Sequence, residues 1–275
     1  MQLKAKVRNL SGGDDTRSKV LIRNFFMERF LERMSLSPYR NNFILKGGML
    51  VAAVVGLEAR ATMDIDTTVK SLPFTMEKAR KVIEEIIRID VPDEVSFAVT
   101  KASEIMEEHD YPGIRFMLEG TLERLRQAIK IDISTGDVIT PQAVEFSYKL
   151  MFEDRSISIW TYNLETMLGE KLETIMARET ANTRMRDFYD ICVLSQQKTI
   201  DYKVLHDAFI PTSDKRETTV LISRIDAILE AVRTDPYMKE MWNRYRQENF
   251  FVRNLTWEDV NISVRDLKNK IFDQS

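Results

Sequence analysis

The pattern of apolar and polar residues changes near residue 161 of this 275-residue chain. Before that point, helical periodicity is mixed with short strand-like runs, whereas from Asn163 onward the periodicity is helical almost throughout. This order predicts an α+β (mixed α/β) fold. We expect a mixed sheet in an N-terminal domain over residues 1–161, followed by a helical domain over residues 162–275.

Individual elements follow from the local period. In the N-terminal part, helices are predicted over residues 17–34, 49–57 and 76–89. Strands are predicted over residues 43–45, 64–69, 95–100, 114–118, 128–134, 145–152 and 157–160. In the C-terminal part, helices are predicted over residues 163–179, 184–196, 216–232, 236–247 and 256–271.

Composition narrows the class of protein. The chain is 44% hydrophobic and 30% charged, as is usual for globular proteins. No apolar run approaches the roughly 18–20 residues that span a bilayer, and the start, MQLKAKVRNLSGGDD, lacks the apolar segment of a secretory signal. The single cysteine, Cys192, excludes an intrachain disulfide framework. We therefore expect a cytoplasmic protein without a membrane partner.

Positive charge is concentrated in the first 50 residues, although the net charge of the chain is −3. The only acids there are Asp14, Asp15, Glu28 and Glu32. Such a basic region either contacts nucleic-acid phosphates or forms a solvated helix face. Its cations are Lys4, Lys6, Arg8, Arg17, Lys19, Arg23, Arg29, Arg33, Arg40 and Lys46.

Three aspartates lie at positions where a charged carboxylate is energetically unfavourable unless a cation is nearby. Asp64 and Asp66 are two residues apart on a predicted strand, so both project from one face and repel each other. Asp132 is flanked by apolar residues on another predicted strand, where an acid needs a partner such as a metal. Oxygen ligands alone favour Mg²⁺ or Mn²⁺ over zinc.

A pair of glycines, Gly47 and Gly48, stands between a predicted strand and a predicted helix, directly after Lys46. Glycine allows backbone to approach a ligand closely, and the N–H groups of a helix N-terminus attract phosphate. The alternative is an ordinary turn.

These residues resemble a known family. The segment LKGGMLVAAVVGLEARATMDIDTTV resembles the signature of DNA polymerase beta-like nucleotidyltransferases, and Lys-Gly-Gly followed by Arg60-x-Thr62-x-Asp-Ile-Asp is similar to the AbiEii family of nucleotidyltransferase toxins. The segments IKIDISTGDVITP and LETMLGEKLETIMARETANTRMRDFYDICVL resemble two further family blocks. Together the blocks cover roughly residues 40–195. One departure is Met49, where the family often has a small hydroxyl residue.

The resemblance implies roles for the N-terminal residues. Asp64 and Asp66 would hold divalent cations, and Asp132 would be a further ligand or the base for the attacking hydroxyl. The expected substrate is a nucleoside triphosphate, with its phosphates cradled by Lys46, Gly47 and Gly48. Just before the acids, Arg60 and Thr62 would either contact phosphate or order the loop.

The resemblance also implies that the helical domain contributes to the site. Lys171 would contact the triphosphate, although by itself it is typical of an exposed lysine pairing with Glu165 or Glu170. Asp187 and Asp190 share a helix face, and they would either anchor Lys171 or bind base or ribose. Asp187 also suits the stabilisation of a helix N-terminus.

The implied function is transfer of a nucleoside monophosphate to an acceptor hydroxyl, with transfer RNA ends among the targets. Such toxins are neutralised by an antitoxin encoded alongside and act in phage defence. Two alternatives stay open: the same fold acting on a protein or a small molecule, and an inactive fold that binds nucleotide or protein. For the active enzyme we expect Asp66→Ala or Lys171→Ala to abolish growth inhibition without unfolding the protein.

Overall fold

A computed structural model of the chain describes residues 3–72, 75–105, 113–197, 199–252 and 254–272. The chain divides into two compact units. Unit 1 comprises Met1–Val54, Ala61–Asp137 and Val144–Thr161. Unit 2 comprises Val55–Arg60, Val138–Ala143 and Tyr162–Ser275, so two short segments from the first part of the chain belong with the later helices.

The described part of unit 1 contains a seven-stranded sheet. Its strands are β1 (Phe43–Lys46), β2 (Asp64–Val69), β3 (Ser96–Ile105), β4 (Gly113–Leu122), β5 (Leu125–Thr135), β6 (Val144–Lys149) and β7 (Ser156–Thr161). Their spatial order is β3-β4-β5-β2-β1-β7-β6. Because β1–β7 and β2–β5 are parallel and the other neighbours antiparallel, the sheet is mixed and the α+β prediction is confirmed.

The two faces of the sheet differ in polarity. On β5, Ile129, Ile131 and Ile133 are buried, whereas Lys130 and Asp132 between them are only partly covered. Alternation of period two therefore directs the apolar side chains into the core and the charged ones to the opposite face. The candidate site forms on this charged face.

Four helices begin in the part of unit 1 that the structure describes: α1 (Leu3–Ser11), α2 (Asp15–Leu36), α3 (Gly47–Val55) and α4 (Met76–Ile87). The Asp14 side chain caps α2 by accepting a hydrogen bond from the Arg17 N–H. Phe26 of α2 packs against β4 at Gly120, where a Cβ atom would come within 2.4 Å of the ring. The missing side chain lets the helix lie close to the sheet and bury its aromatic residues.

The structure divides the basic N-terminal region into surface and core residues. Lys4, Arg8 and Lys19 are exposed. Arg29 and Arg33 are buried, however, and form ion pairs with Glu153 at 2.5 Å and Asp93 at 2.6 Å. These two arginines neutralise acids of the same unit and are not at the surface. For them, neither alternative holds: they belong neither to a phosphate-contacting surface nor to a solvated helix face.

Glu28 on α2 is a buried acid with three hydrogen-bond donors. The donors are Asn24 Nδ2 at 2.9 Å, the Met151 N–H at 3.0 Å and the Tyr148 hydroxyl at 3.4 Å. Burial raises the pKa of Glu28 from its usual 4.5 to about 7, although the Met151 N–H and the charge of Arg29 act in the opposite direction. The folded protein therefore binds this proton more tightly than the unfolded chain does.

We expect Glu28→Gln to flatten the pH dependence of stability. In the wild type, protonation of Glu28 contributes fully to the free energy of unfolding below about pH 4.5, and this contribution is lost as the pH rises through about 7. The loss is about 3 kcal/mol, at 1.36 kcal/mol per pKa unit. Denaturant unfolding at pH 5 and pH 8 measures it, with the exposed Glu104→Gln as control. Parallel profiles for the wild type and Glu28→Gln would contradict the prediction.

The described part of unit 2 is helical. Its α-helices are α5 (Leu164–Arg178), α6 (Met185–Gln197), α7 (Tyr202–Lys215), α8 (Ile225–Thr234), α9 (Pro236–Glu248) and α10 (Trp257–Phe272). The predicted helix over 216–232 is wrong in its first half, where Glu217 has a φ of +58° and Thr219–Arg224 is a 3₁₀ helix. The predicted helix ranges omitted α7, which contains Pro211, a residue type that usually interrupts a helix. Within the described residues, no helix has the length and apolar character to cross a membrane.

Candidate functional site

Three aspartates from two neighbouring strands come together on the charged face of the sheet. The parallel pairing of β2 and β5 places Asp66 directly beside Asp132, and Asp64 lies two residues before Asp66 on the same face. Each residue offers a carboxylate oxygen, and these oxygens lie within 4.8 Å of one another. All three residues are partly buried. The structure thus brings together the three predicted metal ligands, which we call the acid triad.

The donor chemistry of the acid triad fits a hard divalent cation. All three ligands are carboxylates, which suit Mg²⁺ and Mn²⁺. Three acids at this spacing repel one another unless positive charge lies between them. The predicted Mg²⁺ or Mn²⁺ therefore matches both the ligand type and the spacing of these residues.

The glycine pair lies next to the acid triad. β1 ends at Lys46, which pairs with Asp66 in the antiparallel ladder, and α3 begins at Gly47. Gly47 has a φ of +67°, and a Cβ atom there would lie 2.1 Å from Asp66 Oδ2. Only glycine fits both this backbone conformation and this contact. The first turn of α3, with Gly48, therefore begins beside a triad carboxylate.

Two other predicted residues contact acids in unit 1. The Thr62 hydroxyl donates to the Asp64 backbone oxygen at 3.3 Å or to its Oδ1 at 3.2 Å. Lys46 Nζ forms an ion pair with Asp137, which also accepts a hydrogen bond from the Ser134 hydroxyl at 2.9 Å. Thr62 thus touches the acid triad directly.

Two basic residues that were not predicted as site residues also contact the acid triad. Lys130 Nζ lies 2.6 Å from Asp64 Oδ2, and Arg115 donates to both oxygens of Asp132 at 2.7 and 2.8 Å. Burial alone would lower the pKa of Lys130, but the hydrogen bond and charge of Asp64 and the charge of Asp132 outweigh it and raise this pKa. Lys130 could have been found from its spacing, two residues before Asp132. Arg115 could not, because its contact depends on the β4–β5 register.

The remaining predicted residues are buried and form an ion cluster within unit 2, together with Arg184, which is partly exposed and was not predicted. Lys171 Nζ on α5 donates to Asp187 Oδ1 at 3.0 Å and to Asp190 Oδ2 at 2.7 Å on α6. Arg60 Nε donates to Asp190 Oδ1 at 2.6 Å, and Arg184 Nε to Asp187 Oδ2 at 2.8 Å. We call these five residues the buried ion cluster. It joins Arg60 to α5 and α6.

Opposite charges keep this cluster ionised despite its burial. Burial alone would raise the pKa of Asp187, but the charges of Arg184 and Lys171 outweigh it and hold this pKa well below its usual range. For Asp190 the burial effect is likewise outweighed by Arg60 and Lys171, so its pKa is lowered. The carboxylates of Asp187 and Asp190 are therefore charged at neutral pH.

Lys171 is only 8% exposed, so the alternative of an exposed lysine pairing with Glu165 or Glu170 is wrong. Its ammonium lies between two α6 carboxylates instead. This position also changes what a truncation would do, because removing Lys171 leaves buried negative charge with fewer partners.

We expect Lys171→Met to destabilise the protein by about 3 kcal/mol, since breaking a buried ion pair from one side typically costs 3–5 kcal/mol and two arginines remain near the acids. The methionine keeps the length of the side chain but loses its charge. Urea unfolding at pH 7 measures the change. Lys239→Met on α9, at an exposed position, serves as control and should change stability by less than about 0.5 kcal/mol. Equal stability of the two variants would show that the cluster does not support the fold.

Two solved structures have the same fold. The Helicobacter pylori protein JHP933 is 14% identical, with a TM-score of 0.51 over 93% of this chain and 94% of that one. A proposed nucleotidyltransferase from H. pylori is 13% identical, with a TM-score of 0.50 over 94% and 98% of the two chains. No match was found among curated proteins.

A family model covers most of the chain. The model described as the nucleotidyl transferase AbiEii toxin of type IV toxin–antitoxin systems matches residues 29–263, which include the acid triad, the glycine pair and the buried ion cluster. The resemblance noted in the sequence is thereby confirmed. This chain belongs to the AbiEii family of nucleotidyltransferase toxins.

Proposed function

We propose that this protein transfers a nucleoside monophosphate from a nucleoside triphosphate to a hydroxyl group of RNA, with a transfer RNA end as the acceptor. The bond between the α- and β-phosphates breaks, and pyrophosphate and the hydroxyl proton are released. The observation that carries the proposal is the acid triad, in which three carboxylates from β2 and β5 lie within 4.8 Å beside the start of α3. Metal-dependent phosphoryl transfer needs this combination of carboxylates and backbone donors in one place.

Each residue has a proposed part in the reaction. Asp64 and Asp66 would hold the divalent cation, while the N–H groups of Gly47 and Gly48 bind the triphosphate. Because Arg115 donates to both oxygens of Asp132, we assign Asp132 as a positioned ligand rather than the base. The chemistry that a bound divalent cation supplies is charge neutralisation and alignment of the reacting oxygens.

Other residues would support the site indirectly. Thr62 would fix the Asp64 carboxylate through its hydroxyl, and Lys46 would add positive charge near the phosphates. Contact between Lys171 and the triphosphate stays a prediction from the family resemblance, as do nucleotide contacts of Asp187, Asp190 and Arg60. Their contacts within unit 2 support a second part for them, which is to hold α5 and α6 together.

RNA as acceptor is supported by the charge of the N-terminal helices. Lys4, Lys6 and Arg8 on α1 and Lys19 on α2 are exposed, and ammonium and guanidinium groups on a surface attract the phosphate backbone. The family also implies a cognate antitoxin.

The test is transfer of label from each of the four α-³²P-labelled nucleoside triphosphates. The purified protein is incubated with Mg²⁺ or Mn²⁺ and with total RNA, purified transfer RNA or protein extract. Label in RNA that depends on the cation and is lost in Asp66→Asn supports the proposal. Label only in protein would overturn the RNA acceptor, and no label anywhere would overturn the activity itself.

A further inference from the structure

Lys130 lies in the same cross-strand row as a proposed metal ligand. The parallel register pairs Lys130 of β5 with Asp64 of β2. Lys130 also precedes Asp132 by two residues, so the three side chains share one face of the sheet. Its Nζ is 2.6 Å from Asp64 Oδ2 and 3.6 Å from Asp132 Oδ2. One ammonium therefore contacts two of the three acids.

Arg115 contacts the acid triad in a different way. The β4–β5 register places it beside Asp132, and its guanidinium donates to both carboxylate oxygens. A planar guanidinium in such a two-point contact fixes the orientation of its partner. Lys130 has instead a compact charge on a flexible four-carbon stem. Its side chain is 28% exposed, so the ammonium has solvent to move into.

We propose that Lys130 is a displaceable counter-ion of the acid triad. Without a divalent cation its ammonium neutralises Asp64 and Asp132, and on cation binding it moves away from both. The inference rests on the proposed function, because it takes the triad to be a metal site. Lys130 is thus a positioning residue that keeps the acids together when the cation is absent and competes with the cation for the same oxygens.

The physical basis is repulsion at short range. A divalent cation coordinated by Asp64 would lie a few ångströms from an ammonium that keeps its 2.6 Å contact. Like charges at that separation repel strongly in a partly buried site. Lys130 therefore has to leave its contact for the cation to bind, and its presence weakens cation affinity. The same contact stabilises the metal-free protein, where three carboxylates otherwise repel one another.

Lys101 offers a matched control in the same row. The registers connect Asp64, Lys130, Met117 and Lys101 across β2, β5, β4 and β3. Lys101 is thus another lysine on the same face, two strands from Lys130 and about 10 Å away at the usual strand spacing. At 0.15 M salt that distance exceeds the screening length of about 8 Å. Lys101→Met should leave cation binding at the triad nearly unchanged.

The experiment is Mn²⁺ titration of the full chain, stripped of metal, with free Mn²⁺ measured by electron paramagnetic resonance. We expect the Kd for Mn²⁺ to be at least about tenfold lower in Lys130→Met than in the wild type, equivalent to about 1.4 kcal/mol. Lys101→Met should match the wild type. If Lys130→Met does not fold, Lys130→Gln, which keeps a hydrogen-bond donor, takes its place. An unchanged or higher Kd in the Lys130 variant overturns the inference.

Thermal unfolding adds a readout that does not depend on activity. In EDTA, Lys130→Met should unfold at a lower Tm than Lys101→Met, and saturating Mn²⁺ should raise its Tm more than that of the wild type. Equal Tm values in EDTA also overturn the inference. The proposed function survives such failures as long as the wild type binds Mn²⁺ and Asp66→Asn does not. If neither the wild type nor the Lys130 variant binds Mn²⁺, the metal site and the inference fall together.

Discussion

Asp66→Asn is expected to lower nucleotide transfer by about 10³-fold or more while leaving the protein folded. Asparagine has nearly the same shape but lacks the charge that a divalent cation needs. Loss of one preorganised electrostatic contact commonly costs about 10²–10³-fold in rate. Asp66 pairs with Asp132 across the strands and lies beside Gly47. Initial rates of label transfer at saturating Mn²⁺, together with growth of cells producing the variant, measure the effect.

Although Asp66→Asn should lose activity, it should not lose stability. Removing one of three mutually repelling charges should leave the Tm in EDTA unchanged or slightly higher. Asp154→Asn, at an exposed position of unit 1, is the control and should keep full activity. Transfer by Asp66→Asn above a tenth of the wild-type rate would show that the triad is not the catalytic metal site. A large fall in Tm would mean that this carboxylate supports the fold instead.

The sequence predicted the acid triad because the signal is local. Asp64 and Asp66 share a face through the period of a strand, and the apolar neighbours of Asp132 mark it as an acid in a buried strand. Their meeting depends on β2 and β5 being parallel neighbours in register, which spacing cannot show and the family resemblance supplied. The residues were thus predictable, and the 4.8 Å separation was not.

Residues held by partners far apart in sequence escaped prediction. Arg115 contacts Asp132 only because β4 and β5 pair in one register. Lys171 has ordinary helical spacing, so nothing local shows that α6 buries two acids against it. The sequence-based expectation was that Lys171→Ala would leave the fold intact. The buried ion pairs of Lys171 predict instead that removing this lysine lowers the stability of the protein. In each of these cases the missing information is which strands or helices are neighbours, not which residue types are present.

Gly47→Ala is expected to reduce nucleotide transfer by about 10³-fold. The new Cβ atom would lie 2.1 Å from Asp66 Oδ2 and 2.8 Å from Asp66 Cγ, so the carboxylate has to move by an ångström or more. Displacement of a reacting or ligating group by about 1 Å costs roughly 10²-fold by itself. The methyl group also occupies space next to the first N–H groups of α3, which we propose bind phosphate.

Gly12→Ala is the control that distinguishes the effect of backbone strain from the effect of the clash with Asp66. Gly12 has a φ of +63°, close to the +67° of Gly47, but an added Cβ would meet nothing within 4 Å. Both alanine variants should lose about 1–2 kcal/mol of stability from the left-handed backbone conformation. Only Gly47→Ala should lose activity. Equal activities of the two variants would mean that close approach of Asp66 to Gly47 has no part in catalysis.

A double-mutant cycle with Gly47→Ala and Asp66→Asn tests whether the contact between Gly47 and the Asp66 carboxylate causes the loss of activity. If Gly47→Ala acts by moving the Asp66 carboxylate, it should have little further effect once that carboxylate is already asparagine. The combined loss in kcat/KM would then be far smaller than the product of the two single losses. If the loss in kcat/KM of the double variant instead equals the product of the two single losses, Gly47 acts through phosphate binding alone. The backbone N–H groups and the metal ligand would then contribute separately to stabilising the transition state.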